Sequence, residues 1–319
     1  MSAPDFRGAR PVLITGANGL LGQFLVKVLL EDGQSVVATG RGPSRLFFPE
    51  DLGLAVVSRQ APSYVYADMD FTDHAAVRST LERWQPGVVV HAGAMTQVDP
   101  CEEDPEACYR VNLDGTRLML DAASALGARF VFVSTDFIFD GTSGPYREED
   151  TPGPLSVYGH SKWAAEKAVM AASPDWAIVR TVLVYGTPLS GTRPNIITWA
   201  RTNLEAGKRI QVVSDQWRTP TYVEDLARGI VALIRRQAGG IYHISGKDFL
   251  TPYDMALRTA RLLDLDETLL AKVDASTFTQ PGRRPARTGF IIDKAVRDLG
   301  YSPVSFDEGI ALTLGLAQR

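Results

Sequence analysis

Tyr158 and Lys162 are the two residues whose types and spacing are best suited to chemistry. They stand four positions apart in a segment with a helical pattern, so the phenol and the ammonium project from the same face of one helix. A free tyrosine has a pKa of roughly 10, and a cation within reach lowers it by about one to three units. The pair therefore predicts a general acid that protonates an oxyanion, with Lys162 lowering the pKa of the acid.

Thr135 strengthens this interpretation. Its hydroxyl follows a predicted strand at residues 129–134, at the carboxyl edge of the sheet where ligands of such folds bind. We expect Thr135 and Tyr158 to face one small polar group of a substrate. The alternative is a buried phenol beside a surface lysine, because the tyrosine–lysine spacing alone is a weak signal.

A glycine-rich turn near the amino terminus predicts a dinucleotide site. An apolar strand at 12–15 leads into Gly16, Gly19 and Gly22, and an apolar-periodic helix follows. The first two glycines let the backbone approach a pyrophosphate at the helix amino end, and Gly22 lets the helix pack on the strand. The alternative is a tight turn without a ligand. The cofactor contacts expected in this turn are Gly16, Asn18, Gly19, Leu20 and Leu21.

The second predicted strand ends at Arg41 without an acidic residue. An acid about 20 residues after the glycine turn normally accepts the ribose hydroxyls of NAD. Arg41 is instead suited to a 2′-phosphate, because its guanidinium matches phosphate oxygens. NADPH is therefore the expected cofactor, and NADH is a permitted second one. A solvated surface arginine is the alternative.

The ends of the later strands complete the predicted cofactor site. Asp70 is expected to receive the adenine amino group, while Thr72 or Asp73 starts the next helix. Small residues after the fourth strand let a cofactor lie against bare backbone. Lys162 is expected to hold the nicotinamide ribose as well. The further residues of this group are Ala92, Gly93, Ala94 and Ser134.

The alternation of β-branched runs with helical patterns predicts an α/β protein with a Rossmann-like, doubly wound parallel sheet. Segment 42–63 receives no assignment. Predicted strands cover residues 12–15, 35–39, 64–67, 88–91, 129–134, 177–183 and 241–245, and predicted helices cover 20–31, 73–84, 105–126 and 156–172.

The second half predicts a smaller, mainly C-terminal substrate-binding lobe. Helices are expected at 195–207, 224–236 and 251–263, and a strand is expected at 210–213. The expected NADP-binding domain is 1–183 completed by about 222–247, and the expected lobe is 184–221 with 248–319. Arginines in the lobe are candidates for a nucleotide diphosphate, with solvated surface arginines as the alternative. They are Arg218, Arg283, Arg284 and Arg287.

The composition of the chain limits the classes of protein to which it can belong. The chain has 319 residues, is 45% hydrophobic and carries a formal net charge of −4, so it can bury a large core and gives no sign of a nucleic-acid or membrane-surface partner. No apolar run approaches the ~18 residues of a membrane span, and no secretion signal is recognised, so we expect a cytoplasmic protein. Cys101 and Cys108 are expected to be free thiols, and no metal site is expected.

These motifs together resemble the extended short-chain dehydrogenase/reductase family over nearly the whole chain. The matching motifs are the glycines of 16–22, Asp70-Phe71-Thr72-Asp73, Asn112-Leu113-Asp114-Gly115-Thr116, Ser134-Thr135-Asp136 and Tyr158-x-x-x-Lys162. Within that family the chain is most similar to the dTDP-4-dehydrorhamnose reductases. This closer similarity is carried by residues 95–99, 134–139, 155–159, 215–221 and 284–293.

The resemblance implies NADPH-dependent reduction of the 4-keto group of a nucleotide-activated 6-deoxy sugar, with Thr135, Tyr158 and Lys162 as catalytic residues. Leu183 stands where those reductases carry a tryptophan that packs on the sugar, so the identity of the sugar does not follow. The resemblance also adds Phe71, Asn112 and Tyr158 to the cofactor site. The substrate residues it suggests are Thr96, Val98, Asp136, Phe137, Leu183, Asn195, Arg218 and Arg284.

Two other functions share these motifs. A nucleotide-sugar epimerase would retain bound NAD and show no net oxidation of cofactor. A regulatory subunit that resembles the methionine adenosyltransferase β-subunit would act by binding a partner. Dehydratases of nucleotide sugars are disfavoured because Phe137 follows Asp136 where they need a glutamate. A homodimer is compatible with the sequence.

Overall fold

The computed structural model describes residues 10–46, 64–172, 175–191 and 194–317, so most of the unassigned segment 42–63 lies outside it. The strands are β1 (Val12–Thr15), β2 (Val36–Gly40), β3 (Tyr64–Asp68), β4 (Val88–His91), β5 (Arg129–Thr135), β6 (Trp176–Thr181), β7 (Val184–Tyr185), β8 (Ile210–Val213), β9 (Thr221–Tyr222), β10 (Gly240–His243) and β11 (Leu270–Val273). The α-helices are α1 (Leu20–Glu31), α2 (His74–Trp84), α3 (Val98–Glu103), α4 (Pro105–Tyr109), α5 (Gly115–Ala125), α6 (Val157–Ala171), α7 (Ile196–Glu205), α8 (Val223–Arg235), α9 (Pro252–Leu262), α10 (Asp293–Leu299) and α11 (Phe306–Thr313).

Seven strands form one parallel sheet in the order β10-β6-β5-β4-β1-β2-β3. The chain runs outward from β1 to β3 on one side and from β4 to β10 on the other, so the strand order reverses between β1 and β4. Ligands of open α/β sheets bind at the carboxyl edge beside such a reversal. The predicted doubly wound parallel sheet is confirmed, including its last strand.

The side chains of β1 show how both faces of the sheet are covered. All four are buried, as expected for a parallel strand between two layers of helices. Val12 and Ile14 pack into one apolar cluster with α1 and α8. Leu13 points the other way, into a second cluster with α2 and α5. This packing on both faces fixes the carboxyl edge that carries the candidate site.

Strand register brings polar residues together at that edge. Thr15 of β1 pairs with His91 of β4, and Thr135 of β5 pairs with Thr181 of β6. Parallel strands end at the same edge of their sheet. The glycine turn after β1 and the hydroxyls of β5 therefore lie on one side of the molecule.

Three of the predicted elements have a different end or an interruption that matters for the site. β6 ends at Thr181, because Leu183 has a φ of 33°, which an extended strand cannot contain. β10 ends earlier than predicted, at His243. The predicted helix 105–126 is interrupted by a π-helical turn at Arg110–Asp114, which is a tertiary feature that helical periodicity does not reveal.

The elements after β6 include a smaller packing unit. β8 pairs in parallel with β11, and α7 and α9 cover this ribbon in a separate apolar cluster. β11 was absent from the prediction because its four residues carry no clear alternation. The domain boundaries given above stay a prediction. In the part of the chain that is described, no helix is long and apolar enough to cross a membrane.

Candidate active site

The carboxyl end of β5 brings Thr135 and Tyr158 together. Ser156 caps α6 by accepting a hydrogen bond from the Gly159 amide, so Tyr158 lies in the first turn of that helix. Both Thr135 and Tyr158 are buried, each with 7% of its surface exposed, and Thr135 lies close enough to Tyr158 to lower the pKa of the phenol. The predicted pairing of these two side chains is therefore present in the fold.

Lys162 lies one turn further along α6 and is also buried. Its Nζ donates to the Val133 carbonyl at 2.8 Å and lies 4.0 Å from the centre of the Phe132 ring. Burial lowers the pKa of Lys162 to about 7, although the carboxylate of Glu166 opposes that shift. The ammonium is thus held at the strand that carries Thr135.

The expected depression of the Tyr158 pKa is not found. Burial raises the pKa of Tyr158, and the charge of Asp136 raises it further, while the hydrogen bond with Thr135 lowers it. Removing the phenolate from water outweighs the favourable contacts, and the ammonium of Lys162 is directed at the Val133 carbonyl. Tyr158 consequently holds its proton at neutral pH, as a proton donor must before the reaction.

The turn after β1 has the shape that a dinucleotide phosphate requires. Gly16 has a φ of +73°, and a Cβ on Gly22 would stand 2.2 Å from the Gly16 carbonyl oxygen. Among the described residues no side chain caps α1 at Gly19. The first N–H groups of a helix have no acceptor within it and attract anions. Leu20 and Leu21 supply the first two of these groups.

Ser134 gives a second indication of a ligand. Its side chain is buried, with 3% exposed, and within the described part of the chain no hydrogen-bond partner reaches its Oγ. Buried hydroxyls nearly always have a partner. Because Ser134 precedes Thr135 at the carboxyl edge, the residues present fit a bound dinucleotide.

Arg41 and Asp70 meet at the ends of β2 and β3. Nη1 of Arg41 is 4.0 Å from Oδ2 of Asp70, and the Arg41 side chain is 79% exposed. Asn18 orders the loop that carries Arg41, since its Nδ2 donates to the Tyr66 hydroxyl at 2.8 Å and its Oδ1 accepts from the Arg45 amide at 2.8 Å. The exposed guanidinium is thus presented from an ordered loop beside the glycine turn.

Phe71 and Gly93, two residues of the predicted cofactor site, pack tightly against each other. A Cβ on Gly93 would stand 2.5 Å from the Phe71 ring, so glycine is required there. Phe71 packs edge-on against His91, with ring centroids 5.0 Å apart. Burial lowers the pKa of His91 to about 3, so this histidine stays neutral. Ala92 and Ala94 flank Gly93 and are partly buried.

Asn112 lies in the π-helical turn and holds the segment after β4. Its Oδ1 accepts from the Met95 amide at 2.8 Å, and its Nδ2 donates to the Met95 carbonyl at 3.0 Å. Nδ2 also donates to Ser161 Oγ at 2.9 Å. Asn112 therefore connects the segment that bears Thr96 to helix α6, and its predicted contact with the cofactor remains a prediction.

The predicted substrate residues fall into two groups. Thr96 and Leu183 are exposed, and Phe137 and Val98 are partly buried in the cluster around Tyr158. Other members make structural contacts. Asn195 caps α7, and Arg284 forms a two-pronged ion pair with Asp99 at 3.1 and 2.8 Å.

Asp136 and Arg218 depart furthest from the prediction. They are 2% and 4% exposed, and Nε of Arg218 is 3.7 Å from Oδ2 of Asp136. The remaining guanidinium nitrogens donate to backbone carbonyls. A buried arginine with these partners does not present itself to a diphosphate, so the predicted ligand roles of both residues lose their geometric basis.

Three residues of the site were missed by the sequence analysis. Glu166 could have been found, because it follows Lys162 at the same helical spacing that links Tyr158 to Lys162. Ser161 and Thr288 carried no signal, since they meet Asn112 and Asp136 only through tertiary structure.

Asp73, and not Thr72, caps α2. No group of residues suited to a metal ion occurs among those described.

Comparisons with known proteins agree with this geometry. The chain is 36% identical to a dTDP-4-dehydrorhamnose reductase from Streptomyces griseus, over 86% of this chain and 83% of that protein. It is 31% identical to the methionine adenosyltransferase 2 subunit beta of Xenopus tropicalis, over 83% and 75% of the two chains. A dTDP-4-dehydrorhamnose reductase from Bacillus anthracis, solved in complex with NADP, superposes with a TM-score of 0.80 at 26% identity, over 97% and 100% of the two chains. The family profile described as "RmlD substrate binding domain" matches residues 10–318, and the chain belongs to that family.

Proposed function

We propose that this chain is an NADPH-dependent reductase of the 4-keto group of a nucleotide-activated 6-deoxy sugar, with dTDP-4-dehydrorhamnose as the first substrate to test. One observation carries the proposal. Tyr158 is buried beside Thr135 at the carboxyl end of β5, on the side of the sheet where the glycine turn fits a dinucleotide. The names of the relatives support the same chemistry.

Three residues of the chain have separate roles in the reduction of the ketone. When bound, NADPH supplies a hydride to the ketone carbon. Tyr158 donates its proton to the oxygen, and Thr135 hydrogen-bonds that oxygen. The raised pKa of Tyr158 keeps the proton in place until the much more basic alkoxide develops. Lys162 holds the nicotinamide ribose and, by its charge, favours the phenolate that remains.

The cofactor and the sugar occupy different parts of the carboxyl edge. The glycine turn, Ser134 and the Arg41 loop hold NADPH, while Thr96, Phe137 and Leu183 border the sugar. Leu183 lies just beyond Thr181, which pairs with Thr135. A leucine offers apolar surface to the sugar but no aromatic ring for stacking. Aromatic stacking contributes about 0.5 to 1.5 kcal/mol in addition to the burial of apolar surface. The preferred sugar can therefore differ from that of tryptophan-bearing relatives.

The decisive experiment follows both the cofactor and the sugar. Protein purified without added cofactor is expected to be largely cofactor-free, and dTDP-4-dehydrorhamnose with NADPH is expected to give one oxidised cofactor per sugar reduced. Absorbance of the reduced nicotinamide and chromatography of the nucleotide sugar measure the two quantities. Tightly retained NAD with sugar interconversion and no cofactor consumption would establish an epimerase instead.

A second candidate function comes from the similarity to a methionine adenosyltransferase regulatory subunit. Such a protein acts by binding a partner enzyme. The buried Thr135, Tyr158 and Lys162 arrangement favours turnover, which a binding subunit does not need. Co-purification with a methionine adenosyltransferase, set beside the turnover assay, separates the two functions, because a complex without turnover would favour the regulatory subunit.

The proposal also includes the cellular location and the oligomeric state of the protein. NADPH and nucleotide sugars are soluble metabolites, so we place the protein in the cytoplasm. We also propose a homodimer, which sedimentation at several protein concentrations tests. Neither statement changes the chemistry assigned to Tyr158.

Arg41→Ala is expected to weaken NADPH binding while leaving NADH binding nearly unchanged. Only NADPH presents the 2′-phosphate that a guanidinium can hold. The loss should be about 1.5 kcal/mol, the lower end for a hydrogen bond to a charged group, because the Arg41 side chain is 79% exposed. Fluorescence titration measures both dissociation constants, with Arg201→Ala, which removes another exposed arginine, as the control. Equal losses for both cofactors would remove Arg41 from the site.

A further inference from the structure

We infer that Arg218 is a positioning residue for the proton donor, acting through Asp136, and that it does not bind the diphosphate of the substrate. The inference rests on the proposed function, because it assigns a role in that same site. Arg218 lies between β8 and β9, in the predicted lobe, whereas Asp136 directly follows β5. The contact therefore connects the lobe to the strand that carries Thr135.

All three guanidinium nitrogens of Arg218 have partners in the protein. Nε is 3.7 Å from Oδ2 of Asp136. Nη1 donates to the carbonyls of Trp217 and Ala286 at 2.8 and 3.3 Å, and Nη2 donates to the Pro285 carbonyl at 2.8 Å. The side chain is 4% exposed. A phosphate could reach this guanidinium only if these bonds broke and the chain around Pro285 moved.

Asp136 receives hydrogen bonds on both carboxylate oxygens. Oδ1 accepts from Thr135 Oγ1 at 3.1 Å, and Oδ2 accepts from the hydroxyl of Thr288. Burial raises the pKa of Asp136, and the charge of Arg218 is the strongest influence in the opposite direction. Arg218 thus lowers the pKa of a carboxyl group whose pKa burial raises.

Asp136 also positions the hydroxyl of Thr135. Oγ1 of Thr135 donates to Oδ1 of Asp136 at 3.1 Å and accepts from the Phe137 amide at 3.3 Å. A threonine hydroxyl has one proton, so Thr135 gives up its bond to Asp136 when it donates to the reacting oxygen. The ion pair with Arg218 therefore fixes the carboxylate that holds Thr135 in place beside Tyr158.

Arg218 also balances the field at Tyr158. The negative charge of Asp136 disfavours the phenolate that Tyr158 becomes after it gives up its proton. The guanidinium beside Asp136 offsets that charge. Loss of Arg218 should consequently impair the proton-transfer step and leave the affinity for the nucleotide sugar nearly unchanged.

A double-mutant cycle of Arg218→Gln and Asp136→Asn tests this inference by steady-state kinetics with NADPH and dTDP-4-dehydrorhamnose. Arg218→Gln is expected to lower kcat about tenfold, with KM changed by less than about threefold, and Asp136→Asn in the same chain should restore part of the loss. The asparagine oxygen still accepts from Thr135 but carries no charge. Arg201→Gln, at an exposed arginine that pairs with Glu205 and has no assigned role in the site, is the control.

Two outcomes of the cycle would overturn the inference. A raised KM with unchanged kcat would make Arg218 a ligand of the diphosphate. Losses that simply add in the double variant would leave Arg218 a purely structural role. Arg218→Lys keeps the charge without the planar fork, so its kcat should lie closer to that of the wild type. Arg218→Lys also replaces Arg218→Gln in these measurements if Arg218→Gln does not fold.

A measurement without turnover separates this inference from the proposed function. The carbon-13 resonance of the Asp136 carboxyl should titrate at higher pH in Arg218→Gln, or in Arg218→Lys to a smaller extent, than in the wild type. An unchanged titration overturns the inference, whatever the activity. A shifted titration in a protein that does not reduce the sugar would support the Arg218–Asp136 coupling and remove only the proposed substrate.

Discussion

Tyr158→Phe is expected to lower kcat by about 10² or more while the fold and NADPH binding stay intact, because general acid catalysis contributes factors of this size. The substitution removes one hydroxyl and almost no volume. The ring remains packed against Phe137, at a centroid distance of 5.8 Å, so the packing around it is kept. What is lost is the proton that Tyr158 holds next to Thr135.

Kinetics and binding must be measured together for this variant. The turnover number should fall, while the dissociation constant of NADPH and the thermal midpoint of unfolding stay close to the wild-type values. Tyr242→Phe is the matched control, because it removes the hydroxyl of another buried tyrosine, one that contacts Asp298. If Tyr158→Phe turned over as fast as this control, another group would be the acid.

The fold could be predicted because its signals are local. The glycines of the first turn, the buried β-branched strands and the four-residue spacing of Tyr158 and Lys162 each occupy a short stretch of chain, and local patterns set the type of element that forms. Their order then determines a parallel sheet with little ambiguity. The predicted elements occur in the structure in the predicted order along the chain, and several of their ends differ from the prediction.

The rest of the site depends on contacts between distant parts of the chain. Thr288 meets Asp136 across 152 positions, and no local pattern indicates that Arg218 is buried beneath the chain at Pro285. Asn112 shows the same limit, since it lies in a π-helical turn and its side chain bonds to Met95, 17 positions away. Residue type predicted the chemistry available to these side chains, but burial decided whether they face a ligand or the protein.

The ion pair between Glu166 and Arg180 offers the largest expected change in stability. Nε and Nη2 of Arg180 bond the carboxylate of Glu166 at 3.1 and 2.8 Å, and the two side chains are 1% exposed or less. Nη1 also donates to the Glu148 carbonyl at 3.1 Å. Glu166 stands one turn beyond Lys162 on α6 and opposes the lowering of the Lys162 pKa. The pair therefore supports the helix that carries the proton donor.

Arg180→Gln is expected to lower the free energy of unfolding by about 3 to 5 kcal/mol, because it leaves the carboxylate of Glu166 buried without its partner. Urea denaturation measures this loss. Arg201→Gln is the matched control, since it breaks an exposed pair with Glu205 worth about 0.5 kcal/mol or less.

Glu166→Gln added to Arg180→Gln should recover part of the lost stability, because the double variant no longer buries an unpaired charge. A single variant no less stable than the Arg201 control would show that Glu166 finds another partner or water when Arg180 is gone. Kinetics extends the argument to the active site. Glu166→Gln removes the charge that favours the ammonium of Lys162, so the fraction of charged Lys162, and with it kcat, should fall even at temperatures where the variant remains folded.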